Sequence, residues 1–217
     1  MEQLVNSSKG VIVRSLALFA VLIVICVAGT IYLPVTTGYF LVSRLLFWFA
    51  LGIIFLYCIK IERQPLLLWP EKVHGFKHAC ISIFVILLLV VAGSTCLRLI
   101  ADVFHWQTES AIVSRLIAYD SPIKLFIVVT AAYTEEILFR GYLMPRMQLF
   151  FKGTWMPVVL SALIFGLAHF RYATFVNIAG PVFIGFVFAA YYQRYRNIRV
   201  LIICHFIIDF IGLFLLR

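Results

Sequence analysis

Residues 123–144 read IKLFIVVTAAYTEEILFRGYLM. The stretch is long enough to cross a bilayer, which takes about 20 mainly apolar residues in a helix, yet it carries Glu135, Glu136 and Arg140. A charged side chain at the bilayer centre costs at least about 2.5–3.5 kcal/mol on insertion scales, so such a group faces a partner or a water-filled cavity. Helical geometry separates the three. Glu136 and Arg140 are four apart on one face, where a carboxylate and a guanidinium can pair. Glu135 points about 100° away and has no partner within its own helix. From this segment alone two readings stand: Glu136–Arg140 braces the helix while Glu135 faces a cavity, or both glutamates pair with arginines on other helices.

The rest of the chain has the same solvent. Hydrophobic residues make up 64% of the 217 residues and charged residues 12%, with a mean hydropathy of +1.07. A soluble domain carries about a quarter charged residues to keep its surface in water, so lipid is the solvent here. The length allows about six to eight spans with short connections. The apolar stretches are continuous and do not alternate with polar residues, which excludes a membrane barrel. The expected fold is all-α: a polytopic transmembrane bundle of about seven helices. The net charge of +9 resides mostly between apolar runs, where Lys and Arg set membrane orientation beside anionic lipid; nucleic acid is not an expected partner. Cys26, Cys58, Cys80, Cys96 and Cys204 lie in or beside apolar runs with no CxxC spacing, as small apolar residues do.

The spans are expected near residues 16–33, 39–59, 79–100, 123–144, 155–169, 178–192 and 200–216. A polar amino terminus precedes the first, and Pro34 to Gly38 form an uncharged turn after it. Lys9 and Arg14 ahead of the first run also suit a signal peptide, but the run is long for that and leads straight into a second span, favouring a retained helix. Arg44 near the start of the second span is expected to snorkel to the interface. Ile112, Leu116 and Ile117 are spaced for a short amphipathic helix on the membrane, Pro122 suits the first turn of span four, residues 171–177 read as irregular backbone, and Gly180-Pro181 marks a kink. Residues 1–122 thus form amino-terminal spans and a connector, and 123–217 a four-helix core. Lys9, Arg14, Lys60, Arg63, Lys72, Lys77, Arg146, Lys152, Arg194, Arg196 and Arg199 fall on one side, and only Arg98, Arg115, Lys124, Arg171 and Arg217 near the other. That asymmetry predicts a multi-pass protein, of the cell membrane, with a cytoplasmic amino terminus.

Two further segments concentrate polar groups. Phe165-Gly-Leu-Ala-His169 ends span five, and His205-Phe-Ile-Ile-Asp209 lies in span seven with both polar residues on one face. Two histidines, an aspartate and two glutamates in three of the last four spans are the composition of a buried polar site. Depth disagrees with this: at 1.5 Å per residue, Glu135 lies roughly 15 Å, His205 roughly 10 Å and His169 roughly 20 Å from the basic side.

These three segments resemble the CPBP family of intramembrane proteases, which includes the type II CAAX endopeptidases. Its pattern is EExxxR, FxxxH and HxxxN or HxxxD on successive membrane helices, and the resemblance covers about residues 123–216. It implies peptide-bond hydrolysis within the membrane. By analogy Glu135 is the general base activating water, His169 helps hold that water, His205 and Asp209 serve the oxyanion, and Glu136 with Arg140 are supporting residues. Many members carry Asn in the third motif; an ionised Asp209 cannot donate and instead orients His205. Glu135, His169, His205 and Asp209 are alternatively ligands for a divalent metal such as zinc. The expected partners are membrane lipid and a hydrophobic or lipid-adjacent peptide. A proton-coupled carrier, for which buried Glu and His are equally natural, and a non-catalytic immunity or scaffold protein are the competing readings.

Overall fold

The computed structural model describes residues 9–29 and 36–215, and its elements are all helical. The polar amino terminus before Lys9, Pro34 and Val35 of the expected turn, the end of the first apolar run, and Arg217 lie outside the described residues. Helix α1 spans Lys9–Ala28, α2 Thr37–Tyr57, α3 Phe76–Val103, α4 Ala111–Ile117, α5 Ser121–Glu136, α6 Met144–Phe150, α7 Trp155–Leu167, α8 Phe175–Tyr195 and α9 Ile198–Phe214. Two π-helical segments, Cys58–Glu62 and Ile137–Leu143, extend α2 and join α5 to α6.

Four segments are long and apolar enough to cross a membrane: Lys9–Ala28, Gly38–Glu62, Phe76–Val103 and Phe175–Tyr195. Their outer faces present Val24, Phe49, Phe84 and Val91. Large apolar side chains in such density face a solvent that is itself apolar. The chain is an integral, multi-pass membrane protein. Helix α7 is apolar but shorter, and α5 with α6 carries the charges quoted above.

Local chemistry explains most boundaries. Pro122 occupies the first turn of α5, where its missing N–H costs nothing. The side chains of Thr174 and Asn197 accept hydrogen bonds from the backbone N–H groups of Asn177 and Val200, capping α8 and α9. The irregular segment expected around 171–177 is a 3₁₀ turn, Phe170–Tyr172, closed by Ala173 in the left-handed region. Helix α8 continues through Pro181. Helix α4 buries Ile112 and Leu116 against Phe40 and Ile127, so protein covers the apolar face that was expected to lie on lipid.

One end of the bundle is fastened by a buried ion pair. Arg146, fully enclosed, donates to both carboxylate oxygens of Glu62 and to the carbonyls of Pro65, Leu66 and Tyr142. The segment after α2 is thereby pinned beneath α6. It continues over the α8–α9 turn, where Trp69 stacks on Tyr192, Lys72 N–H donates to the Tyr195 carbonyl and Asn197 donates to the Glu71 carboxylate. Helices α7 and α8 meet most closely: a Cβ on Gly166 would fall 2.1 Å from Val182 Cγ2 and 3.0 Å from its backbone nitrogen. Glycine there lets the two backbones touch.

Candidate active site

Glu135 and Glu136 are the last residues of α5, immediately before the helix widens into a π segment. Single-turn π insertions are often found at functional sites because they redirect side chains. Arg140, inside that segment, donates from Nη1 to Glu136 Oε1 at 2.9 Å and from Nη2 to the Gly185 carbonyl at 3.3 Å. Its guanidinium lies over the Phe165 ring, 4.4 Å from the centroid, with Phe188 also beneath it at 5.5 Å. The pair expected from the i, i+4 spacing is present, with both side chains fully buried.

The same Glu136 oxygen is 2.8 Å from His205 Nδ1. A carboxylate accepts, so the imidazole donates from Nδ1 and its orientation is fixed by α5. His205 Nε2 turns toward Asp209 Oδ2, at 3.5 Å. The expected partner Asp209 is joined by Glu136, which holds the ring more closely, while the Asp209 contact is long for a good hydrogen bond. Arg140, Glu136, His205 and Asp209 form one chain of alternating groups linking α5, the π segment and α9.

Glu135 faces the other way, as the 100° offset requires. Its Oε1 accepts from Arg44 Nη1 at 2.9 Å, and among the described residues Oε2 has no protein partner. Arg44 therefore does not snorkel to the interface. Helix α2 packs on α5 through Trp48, which stacks on Tyr133 and donates to Thr130 Oγ1, and one turn away Arg44 is carried into the bundle. A buried carboxylate left without a partner is an uncompensated charge costing about 3–5 kcal/mol, and the guanidinium at 2.9 Å compensates it. The clue was present in the sequence: one unmatched cation and one unmatched anion in separate spans.

Glu135 lines a small cavity with Ser43, Arg44, His169, Arg171 and Tyr172, among others. At about 60 Å³ it has room for water. His169 follows the end of α7, where its N–H donates to the Gly166 carbonyl at 2.9 Å. Its Nδ1 is 2.8 Å from the Phe165 carbonyl. A carbonyl has no proton to give, so the hydrogen is on Nδ1 and Nε2 of the neutral ring carries the lone pair. The ring stacks on Tyr172. Asp209 is near enough for its charge to act on Arg44 and Tyr172.

The depth conflict disappears with the true helix ends. The α5–α6 rod runs to Phe150, beyond the expected end at Met144, so Glu135 lies 15 residues, roughly 22 Å, from it. His169 lies 14 residues, roughly 21 Å, from Trp155. Helix α9 starts inside the protein, because Asn197 is buried under the segment after α2.

Among the described residues no three His, Cys, Asp or Glu side chains converge on a point where they could hold a metal ion. Glu135, His169, His205 and Asp209 do not form the ligand set considered from sequence. A guanidinium already lies against Glu135, and Glu136 takes the Nδ1 of His205. The donors as arranged do not fit a divalent cation.

Buried glutamates beside an arginine-braced π segment, with histidines from two further helices, invite comparison with known families. Residues 119–211 match the family described as type II CAAX prenyl endopeptidase Rce1-like. The match covers 93 of the 217 residues, so the carboxyl-terminal part of the chain is similar to this family. The match takes in every polar residue of the three motifs, and the Rce1-like family is one of membrane proteases, whose substrates are proteins at the membrane. No curated protein matches the chain, and no solved structure does. Arg44 lies outside the matched residues, so Glu135 takes its counter-charge from the amino-terminal part of the chain.

Proposed function

We infer that this protein is an intramembrane endopeptidase that hydrolyses a peptide bond in a hydrophobic or lipid-adjacent protein. The observation that supports it most is the shared cavity of Glu135 and His169, with His205 tied to the neighbouring Glu136. Water in that cavity can donate one hydrogen to the free oxygen of Glu135 and another to Nε2 of His169. Glu135 takes the proton as the water oxygen attacks the substrate carbonyl. That transfer neutralises Glu135 and leaves the Arg44 charge uncompensated as negative charge develops on the carbonyl oxygen. The fixed cation then stabilises the tetrahedral state more than the ground state, which is the requirement for catalysis. His205, oriented by Glu136, carries the oxyanion role when its Nε2 is protonated, with Asp209 as its neighbour. Protonated Glu135 then returns its proton to the leaving amine.

Residues 123–217 form the catalytic core in this reading, and residues 1–122 add the scaffold and Arg44. The α5–α6 rod, α7 with its 3₁₀ turn, and α9 are three further crossings, about seven in all given the bilayer thickness. Lys9, Arg14, Lys60, Lys72, Lys152, Arg194 and Arg196 all lie at or between the ends of the apolar helices, an asymmetry that supports a cytoplasmic amino terminus. The test is peptidomics of membranes carrying wild type or Glu135→Gln. Peptides generated only by the wild type support a protease. An unchanged peptide pool, together with proton-dependent flux in liposomes, would instead identify a carrier.

A further inference from the structure

Away from that cavity, helices α7 and α8 border two adjoining hollows that open outward. The first, about 490 Å³, lies at the basic end and is lined by Lys72, Gln148, Trp155, Gln193, Arg194 and Arg196, with Val158 and Ala190 at its base. The second, about 680 Å³, is apolar and lined by Val159, Leu163, Ile178, Val182, Phe183 and Phe186. On α8 the lining residues 179, 182, 183, 186, 190, 193 and 194 recur every three or four positions, a single helical stripe. On α7 the residues 155, 158, 159, 162 and 163 do the same. The two hollows are therefore successive parts of one groove, and the Trp155–Phe186 stack marks their junction.

The groove has a charged head and an apolar body. Among the described residues, Lys72, Arg194 and Arg196 have no carboxylate within ion-pair distance; the nearby Glu71 is engaged by His74 and Asn197. Arg196 rests over the Trp69 ring, 4.8 Å from its centroid, and its buried Nε has no acceptor. Burial pulls the Arg196 guanidinium down from its ordinary value, with Tyr192 opposing less strongly. Three cations without counter-charge, open to the membrane surface, lack an anion. The apolar stripe below them runs 15 residues from Ala190 to Phe175, roughly 22 Å, enough for a chain lying in one leaflet.

We propose that this groove binds an anionic phospholipid, its phosphate held by Lys72, Arg194 and Arg196 and one acyl chain lying along the outer groove that α7 and α8 border. Basic residues at a membrane surface attract acidic lipid, and the apolar groove continues the path of the chain. The site is separate from the cavity of Glu135 and does not rest on the protease reading.

The test is native mass spectrometry of the purified full chain titrated with phosphatidylglycerol or phosphatidylcholine. The wild type is expected to retain phosphatidylglycerol in preference. Since each basic residue contributes about fivefold, Arg194→Gln with Arg196→Gln should reduce that preference roughly 25-fold. Arg194→Gln alone, at an exposed position, should give about fivefold and guards against misfolding of the double variant. Val159→Trp, filling the apolar part, should weaken both lipids without changing their ratio. Equal retention of the two lipids by the wild type, or an intact preference in the charge variants, overturns the proposal. So does displacement of phosphatidylglycerol by glycerol phosphate as readily as by the lipid itself, which would mark a soluble-anion site. Retention unaffected by Val159→Trp would remove the acyl groove.

Discussion

The Arg44–Glu135 contact makes the sharpest demand on the structure. Both side chains are largely enclosed, 14% and 5% exposed, and their closest atoms are 2.9 Å apart. Removing one partner of a buried pair leaves an uncompensated charge and costs about 3–5 kcal/mol. Arg44→Gln strands the more deeply buried Glu135 and should lie in that range. Glu135→Gln strands the more exposed Arg44, which can move toward water, so about 1–3 kcal/mol is expected. The double variant strands neither charge. If the pair is as described, the double variant is more stable than the sum of the two losses predicts, by at least about 2 kcal/mol. The assay is reversible unfolding of purified protein in micelles, followed by tryptophan fluorescence, with the three variants compared as a cycle. Cleavage is measured in parallel, and both variants lacking Glu135 should be inactive however stable they are. Losses that add to within about 0.5 kcal/mol would refute the pairing, and with it the view that the amino-terminal helices supply a charge to the core.

Further outcomes follow from the same geometry. His169→Ala should abolish cleavage while leaving the helical content near wild type, because the half-buried ring gives up only its contacts with Phe165 and Tyr172 at the end of α7; circular dichroism and a cleavage assay decide it. Asp209→Asn should retain activity, since an amide can donate to an oxyanion, whereas His205→Ala should lose about 10²–10³ in kcat, the usual effect of deleting an oxyanion donor. Glu136→Gln weakens both the Arg140 pair and the hold on His205, so it should lower stability and kcat together, in contrast to Glu135→Gln, whose activity loss is complete. Activity should survive dialysis against a strong chelator, because the candidate ligands do not converge. Gly166→Ala should cost about 1–3 kcal/mol in unfolding, since the new methyl meets the backbone of Val182.

How much of this was legible beforehand depended on whether an interaction is local. The i, i+4 pairing of Glu136 with Arg140 and the divergence of Glu135 are properties of a single helix, and 123–144 offered both while leaving open that the glutamates pair with arginines elsewhere, as Glu135 does with Arg44. The membrane environment was also readable, because a chain with 12% charge has no means of covering itself for water. Helix ends were less so. The π segment at Ile137–Leu143 let the rod run on to Phe150, and this, with the buried start of α9, accounts for the mismatch in depth.

What the sequence by itself determined is a lipid-embedded all-helical chain and the residues that concentrate polarity in it; these follow from hydropathy and helical periodicity, which act within a segment. Only the tertiary structure decided which groups meet. It brought Arg44 across from α2 to Glu135, gave His205 to Glu136 more closely than to Asp209, and kept the four candidate ligands from converging on an ion. The physical reason is that a buried charge needs a partner within a few ångströms, and helix packing, not chain order, sets which partner lies there.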